Sequence, residues 1–536
     1  MATVQHKTPG VYISEPDSFP PAVVGVETAV PAFIGYTEKA SDKGKNLNMV
    51  PTRVTSLADY ASKFGRYFSE SYYLLPVGKK ATDGDKVIVE SFSLHEGGDA
   101  FQLVESGQLT FSLYSSIEIF YENGGADCYI VSCGTYSEAA VAKGPLNAGL
   151  DAVQDVVGPT MLVIPDASSL DRDSYNALVV AMLQQCLKKQ DRVAILDVWG
   201  TRDVTDNGSM CKVVDDFRSG IAGAPPEALR YGIAYFPFLR TSLVSADEVS
   251  ISAFAGPAGL DTLTGALGKA VDFHFPATDP RRATVTEHVA MLGKTLPDDP
   301  LIRRTPVAQR TPPGRLTHGE LGQVLRAAIP GLGDMFHHAA ESLNTIPPSG
   351  AMAGVFAMTD TTRGVWNAPA NVGIAGLIEP TFPVNDDQQA DLNVPTAGKA
   401  INAIRTFPAR GSLVWGARTL DSNSNDWKYI QVRRTMIYVE QSVKTSLNSF
   451  VFAPNTAATW TTVVSMVGSF LHGLWAAGGL MGATPAEAFS VRCGLGSTMT
   501  ADDILNGNMI VHVVLQMVHP AEFIELVFKQ QMLGGA

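Results

Sequence analysis

The residues best placed to do chemistry are two acids at the ends of apolar runs. Asp166 closes Met161-Leu162-Val163-Ile164-Pro165-Asp166, and Asp197 closes Val193-Ala194-Ile195-Leu196-Asp197. Such runs read as buried parallel strands, whose carboxyl ends are where α/β enzymes place their acids. The same position also suits an aspartate that caps a following helix, and that use is the expectation here. Gly293-Lys294-Thr295 resembles the end of a phosphate-binding loop, but His288 stands where the first glycine is required. Without that glycine the backbone nest for phosphate does not form. His337 and His338 are adjacent, so on a helix they point to different faces and do not share a metal. The five cysteines (Cys128, Cys133, Cys186, Cys211, Cys493) are scattered and include no C-x-x-C pair. They read as buried free thiols. G-x-S-x-G, H-E-x-x-H and G-x-G-x-x-G are all missing. No catalytic residue, cofactor or metal is expected.

The elements that would position these residues alternate between strand and helix. Ala32–Tyr36 reads as a buried strand, and Ser56 with Asp59 opens a short helix. A helix ends at Phe120 before Asn123-Gly124-Gly125, and Cys128–Ser132 returns as a strand. Ala177–Lys188 is a helix between the Met161 and Val193 strands, which makes a βαβ-like unit. Tyr231–Phe238 is a further strand. Later strands are expected at Ser412–Trp415, Lys428–Val432 and Met509–Val518. A capped helix is expected at Ala501–Asn506, with Thr500 and Asp503 as its box and Gly507 as its end. The stretches Arg66–Gln108 and Ser242–Thr345 read as insertions, the second an outer module. That module contains a poorly structured loop carrying Arg303, Arg304, Arg310 and Arg315 among prolines. Pro16, Pro20, Pro21 and Pro31 keep the first thirty residues from forming a helix.

At 536 residues the chain is too long for one ordinary core, and three or four units are expected. With 45% hydrophobic and 17% charged residues, bulk disorder is excluded. The net charge of −13 argues against direct nucleic-acid binding, which depends on Lys and Arg against phosphates. The start, MATVQHKTPGVYI, has no apolar core of a secretory signal, so synthesis in the cytoplasm is expected. Thr456–Ala486 contains no charged residue and could in length span a bilayer. Its apolar residues, however, fall on one helical stripe of Trp460, Val463, Val464, Val467, Leu471, Leu474 and Trp475. Thr461, Thr462, Ser465, Ser469 and His472 form a second face. That pattern suits a helix lying against protein, not one in lipid.

Several blocks in order along the chain resemble contractile tail sheath proteins. They begin with Thr8-Pro9-Gly10-Val11-Tyr12 and Val26–Gly35, then Phe120–Gly125 with Cys128–Val131. The most specific is Pro347–Gly354 with Thr359-Asp360 and Gly364–Asn371. Val414–Leu420, Trp427–Arg434, Phe452–Asn455 with Trp460, and Pro520–Ile524 complete the set. Phe33–Lys39 is similar to the sheaths of extracellular contractile injection systems of the antifeeding-prophage type. The resemblance implies a mixed α/β, multi-domain subunit with an inner domain built from both ends of the chain, outer insertions and extended arms. The arm and linker are expected at 1–30, an outer α/β domain at 31–370 with insertions near 66–108 and 242–345, the inner domain at 371–519 and a C-terminal arm at 520–536. It further implies a structural and mechanical protein of a phage tail or phage-tail-like particle. Its partners would be itself in stacked six-membered rings, an inner tube protein, and baseplate and cap proteins, with no nucleic acid and no membrane insertion. An α/β enzyme using Asp166, Asp197 or Lys294, and a shell-type assembly protein, are the competing readings.

Three sets of residues carry the expected contacts. Val4, Val11, Tyr12 and Ile13 at one end, and Phe523, Ile524, Leu526, Val527 and Phe528 at the other, are too apolar to stand alone. They are expected to add strands to neighbouring subunits. Between Lys399 and Lys444 there are eight basic residues against three acids. Arg418, Arg433 and Arg434 among them are expected to face an acidic tube or neighbour, through a contact that weakens as salt rises. Thr461, Ser465, Ser469 and His472 are expected to face the tube.

Overall fold

The Pro31–Thr37 strand is apolar on both faces, and every one of its residues is buried. A strand of that kind belongs in the middle of a parallel sheet covered on both sides. The computed structural model, which describes residues 22–68, 70–82, 85–106, 111–137, 141–254, 260–294 and 317–525, places it there. Its parallel neighbours are Met161–Val163 and Cys128–Thr135. The sheet runs Val372–Gly373, Gly411–Val414, Asn402–Phe407, Gly232–Phe236, Val193–Asp197, Met161–Val163, Pro31–Thr37, Cys128–Thr135, Thr52–Val54. The run from Asn402–Phe407 to Cys128–Thr135 is parallel, and antiparallel strands close both edges.

Two helices on this sheet explain the most specific sequence block. Leu113–Glu122 and Ser349–Arg363 cross with Gly350 and Gly354 at the contact. A Cβ on Gly354 would lie 2.6 Å from the Phe120 carbonyl oxygen, and one on Gly350 would press on the Ser116 carbonyl. The small residues at 350 and 354 are therefore the condition for backbone contact. Asn123 ends the first helix and ties it to a distant loop, donating to the Ala375 carbonyl and accepting from the Ala375 N–H.

The expected helices over Ser56, Ile117–Phe120, Ala177–Lys188 and Ala501–Asn506 are present, as Leu57–Phe64, Leu113–Glu122, Arg172–Lys189 and Ala501–Leu505. Both sequence insertions join the main core. The first forms an antiparallel sheet of Tyr72–Pro76, Phe101–Glu105 and Lys86–Phe92. The second supplies helices Leu260–His274, Arg281–Val289, His318–Ala328 and Pro330–Leu343. Tyr72, Phe254 and Phe336 pack ring on ring, with centroids 5.5 and 4.8 Å apart. The arginine-rich loop of the second insertion lies outside the described residues.

Three expectations change. Lys428–Val432 is not a strand, because helix Ile430–Leu447 begins inside it. The first turns of that helix are buried nearly all round, at Gln431, Val432, Arg433, Arg434 and Thr435, so alternation there carries no information about strand pairing. The expected Met509–Val518 strand is regular only over His512–Leu515, with an isolated antiparallel bridge from Met517 to Leu480 beyond it. The boundary at 370/371 is crossed by the sheet, since Asn402–Phe407 hydrogen-bonds to Gly232–Phe236. The chain divides instead into one compact unit of Glu27–Ile437 and a second of Met1–Val26 with Tyr438–Ala536. Among the described residues no helix is long and apolar enough to cross a membrane.

Candidate assembly surface

The residues considered first for chemistry have structural work. Asp166 accepts N–H bonds from Tyr36 at 2.7 Å, Ser112 at 2.7 Å and Leu113 at 3.0 Å, so it caps the Leu113–Glu122 helix. Asp197 accepts from the Ser349 N–H at 2.7 Å and the Ser349 hydroxyl at 2.6 Å, capping Ser349–Arg363. Each caps a helix remote in sequence, not the one that follows it. Burial pushes both carboxyls up to about 7, against the bonds that favour the charged form. Lys294 is exposed in a turn after Arg281–Val289. His337 is exposed, and His338 pairs with Glu341. Cys128, Cys133 and Cys186 are buried free thiols as expected, and burial pushes Cys128 up to about 12. Cys211 is exposed and Cys493 half-buried, contrary to expectation, because their elements present those positions to solvent.

Most arginines of the basic segment are spent inside the Glu27–Ile437 unit, while Lys444 is exposed in the other. Arg434 makes a two-pronged ion pair with Asp360, at 2.8 and 2.6 Å, and donates to the Thr28 carbonyl. Arg433 is buried against the rings of Trp427 and Tyr231, at 4.6 and 5.0 Å from their centroids. Arg418 is buried beside Tyr429 and donates to the Asn393 carbonyl. None of the three reaches the surface, which corrects the expectation that they face an acidic partner. Arg405 pairs with Asp386, and Arg410 lies on Phe407 and Trp415. Their partners lie outside the counted segment or are aromatic, so a local charge count misses them.

The unit built from both chain ends has the opposite character. Its long helix, Ala457–Ala476, buries Val463, Met466, Val467, Leu471 and Leu474. Thr461, Ser465, Ser469 and His472 are exposed, as the helical stripe required. Met466 was hidden among the polar positions and completes the inner stripe. Beside the outer face runs an open cleft of about 720 Å³, lined by Ala22, Val23, Thr461, Ser465, Met466 and Phe470 among others. In the loop before the helix, Phe452 stands fully exposed at φ 68°, a left-handed backbone that non-glycine residues adopt only at a cost. The loop is fixed by Ala453 N–H to the Phe450 carbonyl and by the Trp460 indole to Asn455.

A two-stranded antiparallel sheet completes this unit, pairing Phe489 with Leu515 through Arg492 with His512. No other described strand pairs with either of its outer edges. Two strands alone are marginal in water, and open edges invite a further strand. Phe523 and Ile524, beyond the sheet, are exposed. Val4, Val11, Tyr12, Ile13, Leu526, Val527 and Phe528 lie outside the described residues.

The family model for the phage tail sheath C-terminal domain matches residues 422–531. No curated protein matches. Among solved structures, the chain is similar to the sheath of an extracellular contractile injection system, a PVC sheath complex in the contracted state. Identity there is 25% and the TM-score 0.57, with 99% of each chain covered. It is similar to a chain of the six-fold symmetrised baseplate of the anti-feeding prophage, at 25% identity and a TM-score of 0.57, covering 98% of this chain and 100% of that one. It is likewise similar to the contracted helical sheath of the anti-feeding prophage, at 25% identity and a TM-score of 0.56, with 98% and 100% covered. The resemblance read in the sequence, the mixed α/β fold, the family match over residues 422–531 and these chain-long structural matches agree in supporting one role, that of a structural protein of a contractile tail sheath.

Proposed function

We propose that this subunit stacks in six-membered rings, joined helically around an inner tube. On triggering, the sheath shortens and widens and drives the tube through a target envelope. The observation that carries this reading is the almost complete two-way coverage with sheath chains in the contracted state. The unit made from both chain ends faces the tube through the Ala457–Ala476 helix, and baseplate and cap proteins close the assembly. The particle is built in the bacterial cytoplasm. The cycle needs no catalytic group, and Asp166 and Asp197 are already used as helix caps.

The two chain ends join neighbouring subunits. The two-stranded sheet offers two outer edges, and two apolar arms are available to add to them, Thr3–Ser14 and Phe523–Phe528. Added strands satisfy the edge N–H and C=O groups and leave the linking segments free to bend during contraction. Co-expression with the tube protein and negative-stain imaging test the whole reading. Sheathed, striated tubes are expected, and closed shells or bare tubes would overturn it.

A further inference from the structure

From Thr445 to Ala486 this acidic chain has no Asp, Glu, Lys or Arg. The stretch includes the whole Ala457–Ala476 helix and the exposed loop before it. None of the residues lining the neighbouring cleft of about 720 Å³ is charged either, including those supplied by the segment at Ala22 and Val23. The surface there is made of hydroxyls at Thr461, Thr462, Ser465 and Ser469 and of apolar atoms from Val23 and Phe470, and Met466, otherwise buried, also lines the cleft. With Arg418, Arg433 and Arg434 buried, the charged route to a partner considered from the sequence is closed.

We propose that this cleft and helix face dock the inner tube through an uncharged contact, receiving an apolar side chain of the tube protein. The proposal rests on the reading that the Ala457–Ala476 helix faces the tube. It adds what the tube must present there. A carboxylate or ammonium pressed against this face would lose its water and find no counter-charge, at a cost far above that of a neutral group. An apolar side chain entering the cleft gains burial against Met466 and Phe470, and the flanking hydroxyls bond equally well to neutral donors and acceptors. Uncharged contacts of this kind are not screened by salt. The sheath can then hold its tube over a wide range of ionic strength.

Full-length sheath protein is mixed with preformed tubes of its partner, and decoration is scored by sedimentation and negative-stain imaging. The wild type is expected to change less than about twofold between roughly 50 mM and 1 M NaCl, where charge contacts would be screened out. Ser465→Arg and Ser465→Glu are both expected to weaken decoration by roughly thirtyfold or more, the cost of an unpaired charge at an interface, while Ser465→Ala retains it. Decoration that falls with salt, or tolerance of one sign of charge and not the other, overturns the uncharged contact and leaves the tube-facing helix intact. Full decoration by both charged variants overturns the tube-facing helix itself. Normal decoration with failed growth of sheath on sheath means that the cleft takes a second copy, which also overturns the proposal.

Discussion

Replacing Arg434 with methionine decides whether the basic segment belongs to the fold or to a partner. The side chains of Arg434 and Asp360 are 4% and 5% exposed. The guanidinium bonds both carboxylate oxygens and the Thr28 carbonyl, and lies 4.7 Å from the Phe356 ring centroid. Methionine keeps most of the stem packing, removes the charge, and leaves Asp360 buried without a counter-charge. Removing one member of a buried pair costs about 3–5 kcal/mol, against about 0–1 kcal/mol for an exposed pair. With a denaturant slope of about 3 kcal/mol/M or more for a unit of this size, the urea midpoint falls by roughly 1 M. The double variant Arg434→Met/Asp360→Leu is expected to recover much of that, because no desolvated charge remains. The pair is out of solvent, so the loss is the same at low and high salt. Tryptophan fluorescence during urea titration reads the wild type and both variants. A loss below about 1 kcal/mol, or a fully stable Arg434→Met protein that fails only in assembly, would refute the interior assignment.

Gly354→Leu is expected to lower the thermal midpoint by several degrees, at about 1–3 kcal/mol, because the added side chain meets the Phe120 carbonyl; Gly333→Ala, where a Cβ meets nothing within 4 Å, is the control and is neutral or stabilising. Asp197 is held near 7, above the ordinary carboxyl range, so the folded chain keeps a proton that the unfolded chain loses between about pH 4 and 7. Its contribution is present in full below about pH 4 and is lost as pH rises through 7, so the stability of wild type relative to Asp197→Asn should fall by at most about 4 kcal/mol across that window. A difference that is flat with pH would show that the Ser349 bonds hold the carboxylate charged throughout. Deleting Met1–Ser14, or truncating after Pro520, should leave a folded monomer by circular dichroism that builds no sheath; sheaths from either truncation would mean the arms are not the linkage.

What could be read in the sequence, and what could not, divides by the range of the interaction responsible. Ser56 with Asp59 and Thr500 with Asp503 specify their helix starts within four residues, and both caps form. The helical stripe around Val463, Val467, Leu471 and Leu474 is equally local, so the exposed face of Thr461, Ser465, Ser469 and His472 followed from spacing alone. The 370/371 boundary failed because pairing of Asn402–Phe407 with Gly232–Phe236 joins segments far apart in sequence, and nothing within either strand marks its neighbour. The basic segment was misread for the same reason. Its excess charge is local, but Asp360 and Asp386 lie upstream of Lys399, and cation–ring contacts at Trp427 and Tyr231 leave no trace in a count of charges. The converse holds for the stretch from Thr445 to Ala486. There the absence of charge is itself local, and a surface helix without a single ion is costly to explain by folding alone, since water would accept charges at its exposed positions freely. The uncharged contact proposed above would give that absence a purpose, at the cleft lined by Met466 and Phe470.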